Sequence, residues 1–276
     1  MTANETNGEF SLLNQIPTVL RARGFRLYTN SGRLIDLWQN GGAAVLGHTP
    51  PNLLHEMKNT ASRGLYAPFP HFTEDRFIKA LSKLFPGYSF RLYAAPPPEL
   101  ASLFNCGAAV LWRPYINAES PFTVEDTPIL VPVLPCIHTW RNNMPTGLCV
   151  TAAQTKNAEE SPFEQLPASD ILSPVLLAMA ARGIYDLLAY PQRGKPILPR
   201  TAKALKDSKN WQRRGIYLYL NKEPSPETWR VLFRQFLDAG FLLPPVPSHP
   251  VILPGELSTG EDAKLADILS ANIVYY

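Results

Sequence analysis

The stretch Ile129–Thr151, ILVPVLPCIHTWRNNMPTGLCVT, limits what this chain can fold into more than any other. An apolar, strand-like run from Ile129 to Leu134 is broken by His138-Thr-Trp-Arg-Asn-Asn-Met-Pro-Thr-Gly147, and a second apolar run follows. A strand, a polar turn segment and a further apolar element are therefore expected in that order. A lone histidine after an apolar run is more often structural than catalytic. Imidazole nonetheless titrates near neutrality and can move a proton, so His138 carries both readings.

Length and composition bound the rest. The 276 residues can hold one large domain or two modest ones. Charged residues make up 18%, low against the usual figure of about 25%, which fits a chain that buries much of its surface, as in an oligomer. The net charge is +3 with no long basic run, which argues against a nucleic-acid partner. Cys106, Cys136 and Cys149 show no CxxC spacing and read as reduced thiols of a cytoplasmic protein. No apolar span is long enough to cross a membrane, and Met1–Glu9 is polar rather than the core of a signal peptide. Proline, at 28 residues, clusters at Pro50-Pro51, Pro96–Pro98 and Pro244-Pro245, which mark turns and stiff loops.

Several segments in order resemble one family. Gly24 to Trp38 alternates about a Ser-Gly turn and reads as a hairpin ending near Asp36; Leu46-Gly47-His48 and Pro50 follow, then a helix from Pro51 that stops at Gly64. His48 reads as a helix-entry histidine bonded to backbone. Thr73–Phe85 has apolar residues at helical spacing, and Ser89–Ala94 reads as a strand. Ser169-Asp170 precedes Ser173-Pro174 and a strongly apolar helix. Gly215–Asn221 alternates as a strand, Ser225 caps a helix to Ala239, Gly240-Phe-Leu-Leu-Pro-Pro245 turns out, and Thr259 opens a last helix to about Leu269. This ordered set resembles the class III PLP-dependent aminotransferases, glutamate-1-semialdehyde aminomutase among them. Met144-Pro145-Thr146-Gly147 matches the end of that family's cofactor-lysine segment. The resemblance covers about residues 20–95 and 135–272.

The resemblance implies an α/β chain with a shortened fold type I PLP-transferase architecture: a reduced large-domain sheet plus an α+β small domain. It divides the chain into an arm (1–20), a hairpin-and-helix part of the small domain (21–90), a reduced large domain (91–190) and a C-terminal small domain (191–276). It also implies a homodimer. By position, His138 stands where the family has its aldimine lysine, and Asn142 and Asn143 stand among its glycines. The family's phosphate-binding turn has two possible registers here. At 94–99, Pro96–Pro98 lack the amides a phosphate cradle needs; at 105–110, Asn105 and Gly107 match but the hydroxyl is lost. Ser169 aligns with a threonine that reaches the phosphate, and reads on its own as a turn or cap residue. The acid that faces the pyridine nitrogen is missing from 111–134, where Glu125 and Asp126 read as a solvated strand entry. Lys156, the lysine nearest the key segment, reads as a solvated loop charge.

Two functions follow from different classes. One is a non-catalytic, dimeric binding or scaffold module with no cofactor. The other is an unorthodox enzyme that binds PLP or pyridoxamine phosphate and uses His138 as a base. A vestigial cleft that holds another small anion is a third. No metal site is expected.

Overall fold

A computed structural model describes residues 11–117, 122, 128–135, 139–154, 162–191, 198–206, 208–271 and 273. In chain order, a 3-10 turn (Ser11–Gln15) leads to β1 (Val19–Arg23), β2 (Arg26–Thr29) and β3 (Gly32–Asp36). Helices α1 (Pro51–Ala61) and α2 (Thr73–Leu84) precede β4 (Tyr88–Tyr93), α3 (Pro98–Asn105), β5 (Ala109–Trp112) and β6 (Ile129–Pro132). A small hairpin, β7 (Thr139–Arg141) and β8 (Met144–Thr146), leads into β9 (Cys149–Gln154) and α4 (Pro174–Ala189). The last third holds α5 (Pro199–Lys206), β10 (Trp211–Arg214), β11 (Tyr217–Leu220), α6 (Pro226–Asp238), β12 (Phe241–Leu242), β13 (Val251–Ile252) and α7 (Thr259–Ser270).

The excess of proline has a structural reason. α1, α3, α4, α5 and α6 each begin at a proline, the position where a missing N–H costs nothing and a fixed φ favours the helix. α6 is also capped by Ser225, whose Oγ accepts from the Thr228 amide at 3.1 Å. α7 opens with a reciprocal pair between Ser258 and Glu261.

The chain forms two compact units: residues 1–49, 116–119 and 192–276, and residues 50–115 and 120–191. In the first unit, β1, β2 and β3 form an antiparallel meander, and β12 adds to β3 in parallel. A second sheet has the order β10-β11-β13. Their shared core includes Leu34, Trp211, Trp229, Phe233, Phe236 and Phe241. Asp36, at the end of β3, is buried. Its Oδ1 accepts from the amides of Trp38 and Gln39, both at 2.8 Å, and its Oδ2 lies 2.7 Å from His48 Nε2. The His48 ring is therefore bonded to a carboxylate rather than to backbone. The His48 amide does donate to Gly24 O, at 2.8 Å, and Gly47 (φ +93°) lies so close to Gly24 that a Cβ would come within 3.1 Å of its Cα.

The second unit is three-layered. Its sheet has the order β4-β9-β6-β5, with β9 antiparallel to β4 and β6, and β5 parallel to β6. One face, with Leu92, Leu130, Val150 and Ala152, packs on Phe77, Leu81 and Leu84 of α2 and Leu177, Ala181 and Ile184 of α4. The other, with Tyr93, Ile129, Val131, Cys149 and Ala153, packs on Leu100 and Leu103 of α3 and on Phe163 and Leu166. Burial on both faces explains why these strands are apolar without alternation. Among the described residues no helix is long and apolar enough to cross a membrane.

Candidate functional site

In open α/β sheets, ligands bind in the crevice beyond the carboxyl ends of the strands. In the second unit, β4, β5 and β6 run in one direction, because β9 opposes both β4 and β6 and β5 follows β6. Their carboxyl ends therefore share an edge, made of Ala94–Pro98, Trp112–Tyr115 and Val133–Pro135, and β9 enters from that edge at Cys149. The β7–β8 hairpin connects β6 to β9 here. The Gly147 amide (φ +83°) donates to Ala94 O at 2.7 Å, which joins the hairpin's exit to the turn after β4.

Asn142 and Asn143 form the two-residue loop between Arg141 and Met144, with φ of 51° and 58°. Two successive positive φ values are what a type I′ hairpin turn requires, and asparagine is among the few residues that adopt them readily. Both side chains are exposed. His138 lies outside the described residues, as do Cys136, Lys156, Glu125 and Asp126.

The two registers of the phosphate turn fall at opposite ends of α3. Ala94–Pro97 leads directly into its N-terminus, where Pro97 caps the helix without a side-chain bond and Pro98 is the first helical residue. Amide donors at 96, 97 and 98 are absent by chemistry. Glu99, exposed in the first turn, sets a carboxylate at the positive end of the helix. Asn105 is the last residue of α3, and Gly107 (φ +77°) follows it. The amides of Cys106, Gly107 and Ala108 bond back to the carbonyls of Ser102, Phe104 and Leu103, closing the helix with a Schellman-type turn. These amides terminate the helix.

Ser169 lies at the open edge of β4. Its Oγ accepts from the Leu92 amide (3.1 Å), the Asp170 amide donates to Leu92 O (2.8 Å), and Asp170 Oδ2 accepts from the Ala94 amide (2.8 Å). The Leu92 amide and carbonyl and the Ala94 amide are the backbone groups that point away from β9 at this end. Ser169 and Asp170 thus cover a strand edge that would otherwise be open to pairing.

Arg113, which sequence reasoning missed, stands at the carboxyl end of β5. It is only 6% exposed, with its guanidinium carbon 5.6 Å from the centroid of the Trp140 ring on β7. β5 is the one described strand between α3 and β6, and its residues are Ala-Val-Leu-Trp, without an acid. A charged residue directly after an apolar strand was the available signal. Tyr115, fully buried at φ +61°, donates from its hydroxyl to Tyr190 O at 3.0 Å and holds this strand end against the exit of α4. No lysine occurs in the segments that make the edge. Among the described residues no group of His, Cys, Asp or Glu gathers as around a metal ion.

No family model matches the chain. An uncharacterized protein of Treponema pallidum (strain Nichols) is 28% identical over 298 residues, which cover 88% of this chain and 91% of that protein. The solved structure of Plasmodium falciparum ornithine delta-aminotransferase superposes with a TM-score of 0.62 at 10% identity, over 96% of this chain and 97% of that one. The fold is fold type I. Acetylornithine aminotransferase from Elizabethkingia anophelis gives a TM-score of 0.61 at 9% identity, over 96% and 98% of the two chains. Both neighbours are aminotransferases, so the shortened α/β architecture expected from the ordered motifs is the one observed: a PLP-dependent aminotransferase-like fold in 276 residues.

Proposed function

We propose that this chain is a non-catalytic member of the class III, glutamate-1-semialdehyde aminomutase-like branch of fold type I, acting as a homodimeric binding or scaffold module. The chemistry of the carboxyl edge carries the reading. Three prolines stand where an amide cradle for phosphate would form, and Glu99 adds a negative charge there. β5, Ala-Val-Leu-Trp, carries no acid and is followed by Arg113, so it offers no carboxylate to pair with the protonated pyridine ring on which the cofactor's electron-withdrawing chemistry depends. His138 cannot form the imine that a lysine amine forms. On these residues the edge does not suit pyridoxal phosphate.

Self-association is supported by an exposed aromatic stretch in the second unit. Tyr66, Phe69 and Phe72 are 71%, 53% and 58% exposed within seven residues, and clustered exposed apolar surface marks interaction sites. Light scattering during dilution tests it; a monomer at micromolar concentration would remove the dimer from the proposal.

Titration of the purified protein with PLP and with pyridoxamine phosphate, read by absorbance and thermal shift, tests the loss of the cofactor. Neither is expected to saturate a site at this edge. Saturable pyridoxamine phosphate binding that His138→Ala weakens would replace the proposal with the second reading, an enzyme that uses His138 as base.

A further inference from the structure

The first unit holds a groove of about 610 Å³ between α5 and α7, within the roughly 300–1,000 Å³ range of small-molecule sites. Positions 200, 203 and 204 share one face of α5, and 263, 266, 267 and 270 share one face of α7. Ala204, Ala263 and Ala266 lie among these positions, too short to fill the space between the helices.

Both ends of the groove are fixed. Asp262 of α7 accepts from the amides of Arg200 and Thr201 at 3.0 Å and from the Thr201 hydroxyl at 2.7 Å, so one helix caps the other. At the far end Asn210 Nδ2 donates to Ala271 O at 3.4 Å, and Ser208 Oγ accepts from the amides of Asn210 and Trp211. Such walls meet a ligand already formed.

The charge of the groove is unbalanced. Arg200, Lys203 and Lys209 line it, all exposed, against the single carboxylate of Asp267. Among the described residues none of the three cations forms an ion pair. Like charges around a concave wall raise the local potential and draw in an anion.

We propose that this groove binds a phosphorylated small molecule. Its phosphate oxygens meet Arg200, Lys203 and Lys209, its apolar part lies over the alanine floor, and Asp267 accepts a hydrogen bond from a hydroxyl or amine. The concave shape and the modest overall charge of +3 favour a small ligand over a nucleic acid.

Isothermal titration of the full chain with inorganic pyrophosphate and with adenosine triphosphate, at low and at physiological salt, tests the proposal. Saturable one-to-one binding of at least one probe is expected, weakened roughly tenfold or more by K203E/K209E and also by Ala204→Leu, which fills the groove without changing its charge. Lys203 and Lys209 are exposed, so the charge-reversed variant keeps its fold, which its melting curve checks. No binding, or binding that survives either variant, overturns the proposal; so does tighter capture of single-stranded RNA than of either probe. K203E/K209E also separates this groove from the carboxyl edge of the other unit, because a cofactor held at that edge would survive it.

Discussion

Gly183 of α4 and Pro135, on the segment that leaves β6, approach so closely that no side chain fits between them. A Cβ at 183 would lie 3.1 Å from the Pro135 carbonyl carbon and closer still to its oxygen. The chain is thereby held against α4 three residues before His138.

Gly183→Ala is therefore expected to destabilise the protein, although alanine is the better helix former by about 1 kcal/mol. Forcing a methyl against backbone costs about 1–3 kcal/mol in a packed interior and outweighs that gain. Urea denaturation measures it; a variant as stable as the parent would refute the contact.

Glu261 should make stability depend on acid. Burial pushes its carboxyl up, but the Arg26 guanidinium and the amide and hydroxyl of Ser258 hold it down, to about 2. Its oxygens lie 2.7 Å from Arg26 Nη2 and 2.8 Å from an Arg33 nitrogen. A carboxyl with a folded-state pKa below its unfolded value stabilises the protein fully above the unfolded value, about 4.3, and loses that contribution as pH falls through the folded one. The loss should run from about pH 4.3 to about pH 2 and amount to roughly 1–3 kcal/mol. Glu261→Gln should abolish this part of the acid dependence in denaturation curves taken across that range; an unchanged acid profile would rule it out.

Asp36 joins the end of β3 to the turn that follows it. Asp36→Ala leaves the Trp38 and Gln39 amides and the His48 ring without their acceptor, and should cost about 2–4 kcal/mol. Asp36→Asn keeps an oxygen for the two amides and should cost less. Equal losses in thermal melts would mean that the amide bonds contribute little and that the His48 pair carries the effect.

Cys149 should resist thiol reagents. Burial alone pushes its thiol up to about 12, so almost no thiolate exists at pH 8. In a Cys136→Ser background, one thiol per native chain, the exposed Cys106, should react promptly with an aromatic disulfide, and the second only on unfolding. Fast labelling of both would show that the Cys149 face of the sheet opens.

Elements whose causes are local were legible in the sequence. α2 and α6 follow from apolar spacing, α6 and α7 from capping residues next to their first turns, and β2–β3 from alternation about a tight turn. β10 was not legible: Trp-Gln-Arg-Arg buries only its tryptophan, and it becomes a strand by pairing with β11. Val19–Arg23 was not legible either: the expected boundary at residue 20 cuts through it, because its exposed residues carry no burial pattern.

The sequence by itself determined that a strand, a polar turn and a second strand would lie in the middle of a reduced α/β chain, because apolar runs and turn chemistry act over a few residues. Only the tertiary structure decided what each end of α3 offers, that Ser169 covers the edge of β4, and that a buried arginine closes β5. The last two depend on groups far apart in the chain that meet only in the fold, as Arg113 and Trp140 do, and Leu92 and Ser169 do, and no local pattern encodes such a meeting.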